Sequence, residues 1–504
     1  MEDLRPFPPG DYDVVVVGTG PAGLQTSYSL GQAGVASHAL LSADDQPGGM
    51  FRRFPVFERL ISWTKPDAPC ERQSREYECY DHNSLIAEEP EARALVAGFM
   101  DRSFDVPARA EMESGLVAFA EATGVVARYG CRWTGTRREG QRFVLETTDG
   151  EYRCRAAVFA IGMTDPWTPP LSGAELASHY VDAGAAESYA DKRVVIIGKR
   201  NSGFELAYGL LPWARSLVLV SPRSIDISVL AHSPLRVRYL QPYEEYVRGA
   251  AGTYVVDGAI AGIERGDDGI RVLADGTRWE GRLEFDADEV ILATGFKAPL
   301  GDLPHLGVAT VRNDRVPALT PFWESISVPG IFFAGNITVA SRGLEKHGLS
   351  SNSSSVNGFR YNARVLARQL AERLGVEQRR RQLRLDEVGP LLLDELARSP
   401  ELWIQKGYLA RVVSLHEALG IRDEGILPLE HFVDGGGGND AAAATIEMDP
   451  SGAIYPVVYV RQGGELSEHE LDPHPVHAYD GGSYRQEVEA LLAPLLGSAS
   501  WSAA

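Results

Sequence analysis

Four consecutive valines, Val14-Val15-Val16-Val17, stand between Asp13 and Gly18. An unbroken run of β-branched apolar residues predicts an inner parallel strand, buried on both faces. Similar runs recur along the chain, each soon closed by a glycine: Phe159-Ala160-Ile161 before Gly162, Val194-Val195-Ile196-Ile197 before Gly198, Val290-Ile291-Leu292-Ala293 before Gly295, and Ile331-Phe332-Phe333-Ala334 before Gly335. Two further strands are expected near Ala36 to Leu41 and from Ser216 to Val220. Helices are expected from Leu24 to Gly31, Glu91 to Met100, Glu111 to Thr123 and Phe204 to Leu211. Val356, Phe359, Ala363, Leu366 and Leu370 fall on one face at close to helical spacing. Strands flank turns at Asp149-Gly150 and Asp275-Gly276. After residue 376 the pattern predicts helices from Leu391 to Ala397 and Trp403 to Leu419. A flexible glycine run (Gly435 to Gly438), a strand near Ile454 to Val460 and a last helix from Tyr484 to Leu496 follow.

Strand, glycine turn and helix occur twice in the same order. In the first unit Gly18 allows the sharp turn, Gly20 admits backbone N–H groups to a pyrophosphate, and Gly23 lets the helix beginning Pro21-Ala22 pack on its strand. The helix presents its positive end to the phosphates. An acidic residue usually closes the second strand of such a unit and holds a ribose. Here Ser42 stands there with Asp44 and Asp45 just beyond, so either the serine or an aspartate takes that part. The second unit carries Gly198, Asn201, Ser202 and Gly203, with Arg200 in place of the middle glycine, either pairing with a phosphate or filling the site. Its next strand ends at Ser221 and Arg223, and the arginine suits a ribose 2′-phosphate, favouring NADPH over NADH.

The fold class is therefore α/β, with two Rossmann-like dinucleotide-binding domains, the NADPH domain inserted in the FAD domain, and a C-terminal α+β extension. The expected boundaries are 10–168 and 289–375 for the FAD domain, 169–288 for the NADPH domain, and 376–504 for an extension acting as a lid, a third layer or an oligomer contact such as a homodimer. Between the first unit and residue 80 the chain is irregular, rich in arginine and aromatics, as functional loops are. It holds Pro47-Gly48-Gly49-Met50-Phe51, Trp63-Thr64-Lys65, Arg72 and Arg75. A basic, aromatic stretch at His232, Arg236, Arg238, Tyr239, Tyr243 and Tyr246 follows the second unit.

Charge narrows the partners. The net charge of −20 argues against nucleic acid and anionic membranes, and requires local arginines wherever a phosphate is bound. No apolar run is long enough to span a bilayer, and the start shows no signal pattern. The four cysteines (Cys70, Cys79, Cys131, Cys154) form neither a CxxC nor a zinc spacing. They read as reduced thiols of a cytoplasmic protein without a metal or a redox disulfide.

The ordered set Gly18-x-Gly20-x-x-Gly23, Pro47-Gly48-Gly49, Ala160-Ile161-Gly162, Gly198 to Gly203, and Ala293-Thr294-Gly295-Phe296 resembles the two-dinucleotide flavoproteins. Within them it is similar to the class B flavin-dependent monooxygenases, over roughly residues 10–370. The resemblance implies FAD in the first cradle, with Gly48, Gly49, Met50 and Phe51 near the flavin ring and Gly335 and Asn336 near its ribityl chain or edge. It implies NADPH on Gly198, Asn201, Ser202 and Gly203, and places Trp63-Thr64-Lys65 beside the flavin. It further implies that a flavin C4a-(hydro)peroxide, formed from O2, oxygenates a small-molecule substrate. Lys65, Arg72 and Arg75 are the candidate catalytic cations, with salt bridges to Glu71, Glu76 and Glu78 as the plain alternative. The Baeyer–Villiger fingerprint F-x-G-x-x-x-H-x-x-x-W is absent, only His179 resembling its histidine, so N-oxygenation of an amine or amino acid ranks first. Baeyer–Villiger or S-oxygenation, an NADPH-independent amine oxidase or dehydrogenase, and a non-catalytic flavin-binding regulator are the alternatives.

Overall fold

The computed structural model describes residues 5–57, 59–223, 252–348 and 351–497. The basic stretch from His232 to Tyr246 lies outside them.

The valine run is the strand Gly10–Val17, and Val14, Val15 and Val16 are wholly buried. It pairs in parallel with His38–Leu41 on one side and Gly150–Phe159 on the other. The latter strand serves three neighbours. Its first half pairs antiparallel with Arg142–Thr147, which leads on to Trp133–Glu139, and its last three residues also pair in parallel with Ile331–Phe333. Chain from far down the sequence thus completes the first sheet.

The second sheet runs in the order Arg282–Ala287, Gly269–Gly276, Thr253–Gly266, Ser216–Ser221, Arg193–Ile197, Glu289–Leu292, Ser178–His179. Its five last-named strands are mutually parallel, and the first three form an antiparallel meander. Glu289–Leu292 lies in this sheet, beside Arg193–Ile197, and not with the first domain as its position after 288 suggested. The hydrophobic run carries no mark of which parallel sheet it joins. The return to the first domain comes after Gly295, where Phe296–Lys297 pairs antiparallel with Asp165–Pro166. The outgoing and returning chains are therefore zipped together at the domain boundary, and the Thr294 hydroxyl donates to the Trp167 carbonyl at 2.6 Å beside them.

Residues beyond 376 form a six-stranded antiparallel sheet backed by Leu385–Arg398 and Gly482–Gly497. The expected helix from Trp403 to Leu419 is a correction: after a short helix, Pro400–Ile404, comes the strand Leu409–His416. It is a central strand, with Leu409 and Val413 packed in one core and Ala410 and Val412 in the other. Burial on both faces erases the alternation that distinguishes a strand from a helix. The glycine run is held by Arg461, whose guanidinium donates to the carbonyls of Gly436 and Gly438.

The helix Val356–Arg373 buries the five apolar residues expected of it, and also Asn357, Arg360 and Asn362. It is covered twice, by Pro21–Gln32 on one side and by the C-terminal elements on the other. Leu24, Leu366, Val388, Val413 and Leu492 belong to one continuous core, which joins the first domain to the extension.

Candidate functional site

The two glycine cradles are built alike. A Cβ on Gly18 would stand 2.5 Å from the Ala160 carbonyl oxygen, and one on Gly198 would stand 2.3 Å from that of Ala293. Both glycines have left-handed backbone, at φ +108° and +131°. A Cβ on Gly23 would lie 1.8 Å from the Gly18 oxygen, and one on Gly203 would lie 2.2 Å from the Gly198 oxygen. Ala160 and Ala293 thus act as the neighbouring strand ends against which each turn is pressed. The helix Pro21–Gln32 begins at Gly20 with no side-chain cap, so its first N–H groups are left for an anion.

In front of the first cradle lies a cavity of about 1040 Å³. Its wall includes Gly18, Gly20, Pro21, Ala22, Ser42, Asp44, Gly49, Met50, Phe51, Ala160, Gly162, Gly335 and Asn336, all anticipated from the sequence, and from the second unit Asn201 and Ser202. Ligand pockets usually measure about 300–1,000 Å³, so this one has room for a large dinucleotide and part of another molecule. The Pro47-Gly48-Gly49 turn touches the cradle itself: the Gly48 N–H donates to the Thr19 carbonyl, and a Cβ on Gly49 would come within 2.8 Å of Gly20 Cα. Gly335 presses on the start of the first helix, its missing Cβ standing 2.6 Å from that of Ala22. These approaches leave the backbone bare towards the cavity, which fits FAD, whose pyrophosphate needs N–H groups within reach.

The ribose question also narrows. The Ser42 hydroxyl oxygen already accepts from Thr19 at 2.7 Å and from the Asp44 N–H at 3.1 Å. Asp45 is bound to Arg52. The Asp44 carboxylate borders the cavity and bonds to no side chain among the described residues.

Several anticipated residues stand elsewhere. Gly23, Gly48, Gly198, Gly203, Ala293, Thr294 and Gly295 do not line the cavity, and Arg200, Ser221 and Arg223 lie on the second unit outside it. Thr64 is buried and donates to Asp81 at 2.9 Å, and Trp63 packs against the His82 ring. None of Lys65, Arg72 and Arg75 borders the cavity. Lys65 is exposed, and Arg72 donates to the Pro66 carbonyl. Arg75 reaches the extension, where it bonds the buried carboxylates of Glu395 and Glu401 at 3.1 and 2.8 Å. Arg72 and Arg75 are thus bonded away from the cavity, and Lys65 faces outward. His179 donates from Nε2 to the Gly295 carbonyl, 3.2 Å away, and burial lowers its pKa.

Three wall residues carried no sequence signal. Asn83 donates to the Ser62 carbonyl and to Thr64 Oγ1, each at 2.9 Å, while its own amide oxygen is buried with no hydrogen-bond partner among the described residues. Glu205, on the helix Asn201–Leu210, accepts from Tyr180 at 2.6 Å and from the Phe57 N–H at 3.0 Å. Tyr180 in turn accepts from the Val56 N–H. This carboxylate–phenol pair fastens the loop after the double-glycine turn to the inserted domain. Both act through tertiary contacts, and a lone Asn or Tyr in sequence gives no hint of them.

Among known proteins, the chain is 28% identical over 228 residues to the FAD-dependent oxidoreductase domain-containing protein 2 of Danio rerio, covering 44% of this chain and only 32% of that protein. It is 28% identical over 341 residues to a ferredoxin–NADP reductase of Thermus thermophilus, covering 64% of this chain and 84% of that one. The fold is shared with the bacillithiol disulfide reductase of Bacillus cereus (TM-score 0.54, 19% identity, 72% of this chain and 100% of that one). It is shared also with a flavin-containing monooxygenase of Stenotrophomonas maltophilia (TM-score 0.52, 21% identity, 72% and 99%). The cofactors are FAD and NADPH. The model of the pyridine nucleotide-disulphide oxidoreductases matches residues 15–335, across both glycine cradles, and the chain belongs to that family of flavin-dependent oxidoreductases.

Proposed function

We propose that the chain is an NADPH- and O2-dependent monooxygenase acting on a small nucleophilic substrate, with an amine or amino-acid nitrogen the preferred acceptor of oxygen. The observation that carries this reading is the cavity. It opens to both cradles, its wall between them is largely apolar, and no cysteine borders it among the described residues. Cys131 and Cys154 are buried in the first domain, and burial raises both thiols, Cys154 to about 12. Cys70 and Cys79 are partly buried outside the cavity wall, so a disulfide relay has no thiol within the cavity to work with.

When bound, the flavin supplies hydride acceptance from the nicotinamide and electron transfer to oxygen. The chain's own residues bind and enclose. Phe51, Phe54 and Phe359 exclude water along the cavity, which an oxygen-activating site needs. Asn83 is fixed in the wall by its donated bonds to the Ser62 carbonyl and Thr64 Oγ1. The Tyr180–Glu205 pair keeps the loop before Phe57 in place.

A second reading, reduction of an electron-carrier protein, is favoured by the likeness to ferredoxin–NADP reductase. Rapid mixing of NADPH-reduced protein with oxygen separates the two. A monooxygenase gives a transient near-ultraviolet absorbance before the oxidised spectrum returns, and couples NADPH use to amine oxygenation. Direct return to the oxidised spectrum, with fast one-electron reduction of a ferredoxin, would overturn the first reading.

A further inference from the structure

A second cavity, of about 580 Å³, opens where the flavin domain meets the extension, and small-molecule pockets usually measure about 300–1,000 Å³. One wall is built by residues of the segment 339–346 with Val311 and Arg312. The other is built by the helix Leu429–Val433, Gly407 and the strands Ile454–Gln462 and Glu465–Glu470. The walls press together where a side chain is missing: a Cβ on Gly343 would stand 2.8 Å from that of Glu430, and one on Gly407 would stand 3.3 Å from that of Lys346. The Ser341 hydroxyl, also in the lining, donates to the Thr338 carbonyl at 2.7 Å and fixes its loop. Leu344, Leu429 and Tyr459 are buried in the lining, whereas Val311, Val433 and Leu466 are each more than a third exposed there. An apolar ligand would take those three out of water. The charges around the cavity do not balance. Lys346 Nζ donates to Tyr459 and to the carboxylates of Glu447, at 2.5 Å, and Glu468, at 2.8 Å. Glu447 is wholly buried and also bonds His347 at 2.7 Å. Arg342 is shared by Glu430 and Asp434 at 2.8 and 3.0 Å, and Arg312 pairs with Glu345 at 3.1 Å. Burial raises the Tyr459 pKa, so the phenol stays neutral. Among the described residues three cations are thus matched to five carboxylates, and a protonated His347 would offset only one of the two surplus negative charges.

We propose that this cavity is a binding site for an amphipathic ammonium ion, an amine whose apolar body covers Val311, Val433 and Leu466 and whose charged head is held by the surplus carboxylates, Glu430 and Glu468. A carboxylate ligand would meet the surplus negative charge, and a neutral one would leave it unused. The site has no lining residue in common with the flavin cavity, and it does not depend on the reaction read for that cavity. Its ligand touches both walls and so bridges the flavin domain and the extension.

The test is calorimetric titration of the FAD-loaded protein with n-octylammonium, octanol and octanoate, which share one tail and differ in the charge of the head. The ammonium is expected to bind about fivefold tighter than the alcohol, as a partly exposed carboxylate supplies, with octanoate the weakest. The double replacement Val433→Arg and Leu466→Arg, at two exposed positions, is expected to weaken octylammonium about tenfold (~1.4 kcal/mol). Normal flavin content in that variant confirms that folding is intact. Glu468→Gln should remove most of the preference for ammonium over alcohol. Equal affinity for the three heads overturns the proposal. Full octylammonium affinity in the double variant overturns it as well, placing the amine in the flavin cavity instead. Absence of octylammonium binding to the wild type also overturns it, and self-association of the wild type but not of the double variant in light scattering would then assign the exposed apolar residues to a contact with a second copy.

Discussion

The first helix offers a paired test of how the flavin cradle works. Gly23 and Gly31 both lie within Pro21–Gln32, Gly23 in the first turn, where the motif spacing marks it, and Gly31 in the last, where helix propensity alone would count against it. Their surroundings differ. A methyl group on Gly23 would stand 1.8 Å from the Gly18 oxygen and 3.4 Å from the Ala160 Cβ, whereas one on Gly31 meets nothing within 4 Å. Ordinary contact needs a separation above 3.0 Å, so Gly23→Ala must drive the helix back by roughly 1 Å from a turn that has no side chain to yield. Overpacking of this kind costs about 1–3 kcal/mol, and the displaced N–H groups also lose the pyrophosphate. Gly31→Ala escapes both costs and gains about 1 kcal/mol of helix propensity. The assay is the flavin-to-protein absorbance ratio after purification, with thermal unfolding followed with and without added FAD. Gly23→Ala is expected colourless and insensitive to FAD, and Gly31→Ala yellow, with a melting point raised by about 2 °C. A Gly23→Ala protein with full flavin and an unchanged melting point would refute the close-approach argument for this turn.

Arg75→Ala removes the cation that Glu395 and Glu401 share and leaves each with a single arginine at 3.4 Å, Arg411 and Arg364, so it should cost about 1.5–3 kcal/mol. Denaturant unfolding checks this, and faster proteolysis of the extension should accompany it; the replacement Glu401→Gln in the Arg75→Ala background should recover part of the loss. Desolvation of the half-buried His82 ring, and then the nearby Arg360 charge, lower its pKa from 6.5 to about 4. The unfolded chain therefore binds a proton between those values that the folded chain refuses, so this contribution, about 3 kcal/mol, is complete above pH 6.5 and is lost as pH falls towards 4. Melting temperature against pH should show that slope, and His82→Phe should flatten it. Glu205→Gln keeps the shape but weakens the charged bonds from Tyr180 and the Phe57 N–H, and should raise the KM for NADPH more than it alters flavin content.

Much of the flavin cradle was legible in the chain because its demands are local. A turn that must press on a neighbouring strand excludes a Cβ, and the glycines at 18, 23, 198 and 203 mark that demand wherever the strand comes from. Parallel inner strands announced themselves by unbroken apolar runs, and those runs hid what came next. Nothing in Glu289–Leu292 tells which sheet it joins, and nothing in Leu409–His416 separates a doubly buried strand from a buried helix. Arg75 illustrates a further limit. Its charge marked it as chemically useful, yet its use is set by two glutamates more than three hundred positions away.

The sequence by itself determined the two β–turn–α cradles, the sheet class and the absence of a CxxC, since each depends on residue types at short spacing. Only the tertiary structure decided which cations face a cavity, that Asn83 and the Tyr180–Glu205 pair stand in its wall, and that the extension shares the first domain's core. Spacing along a chain fixes backbone shape over a few residues, whereas the company a side chain keeps is fixed by burial and charge pairing across segments that meet only after folding.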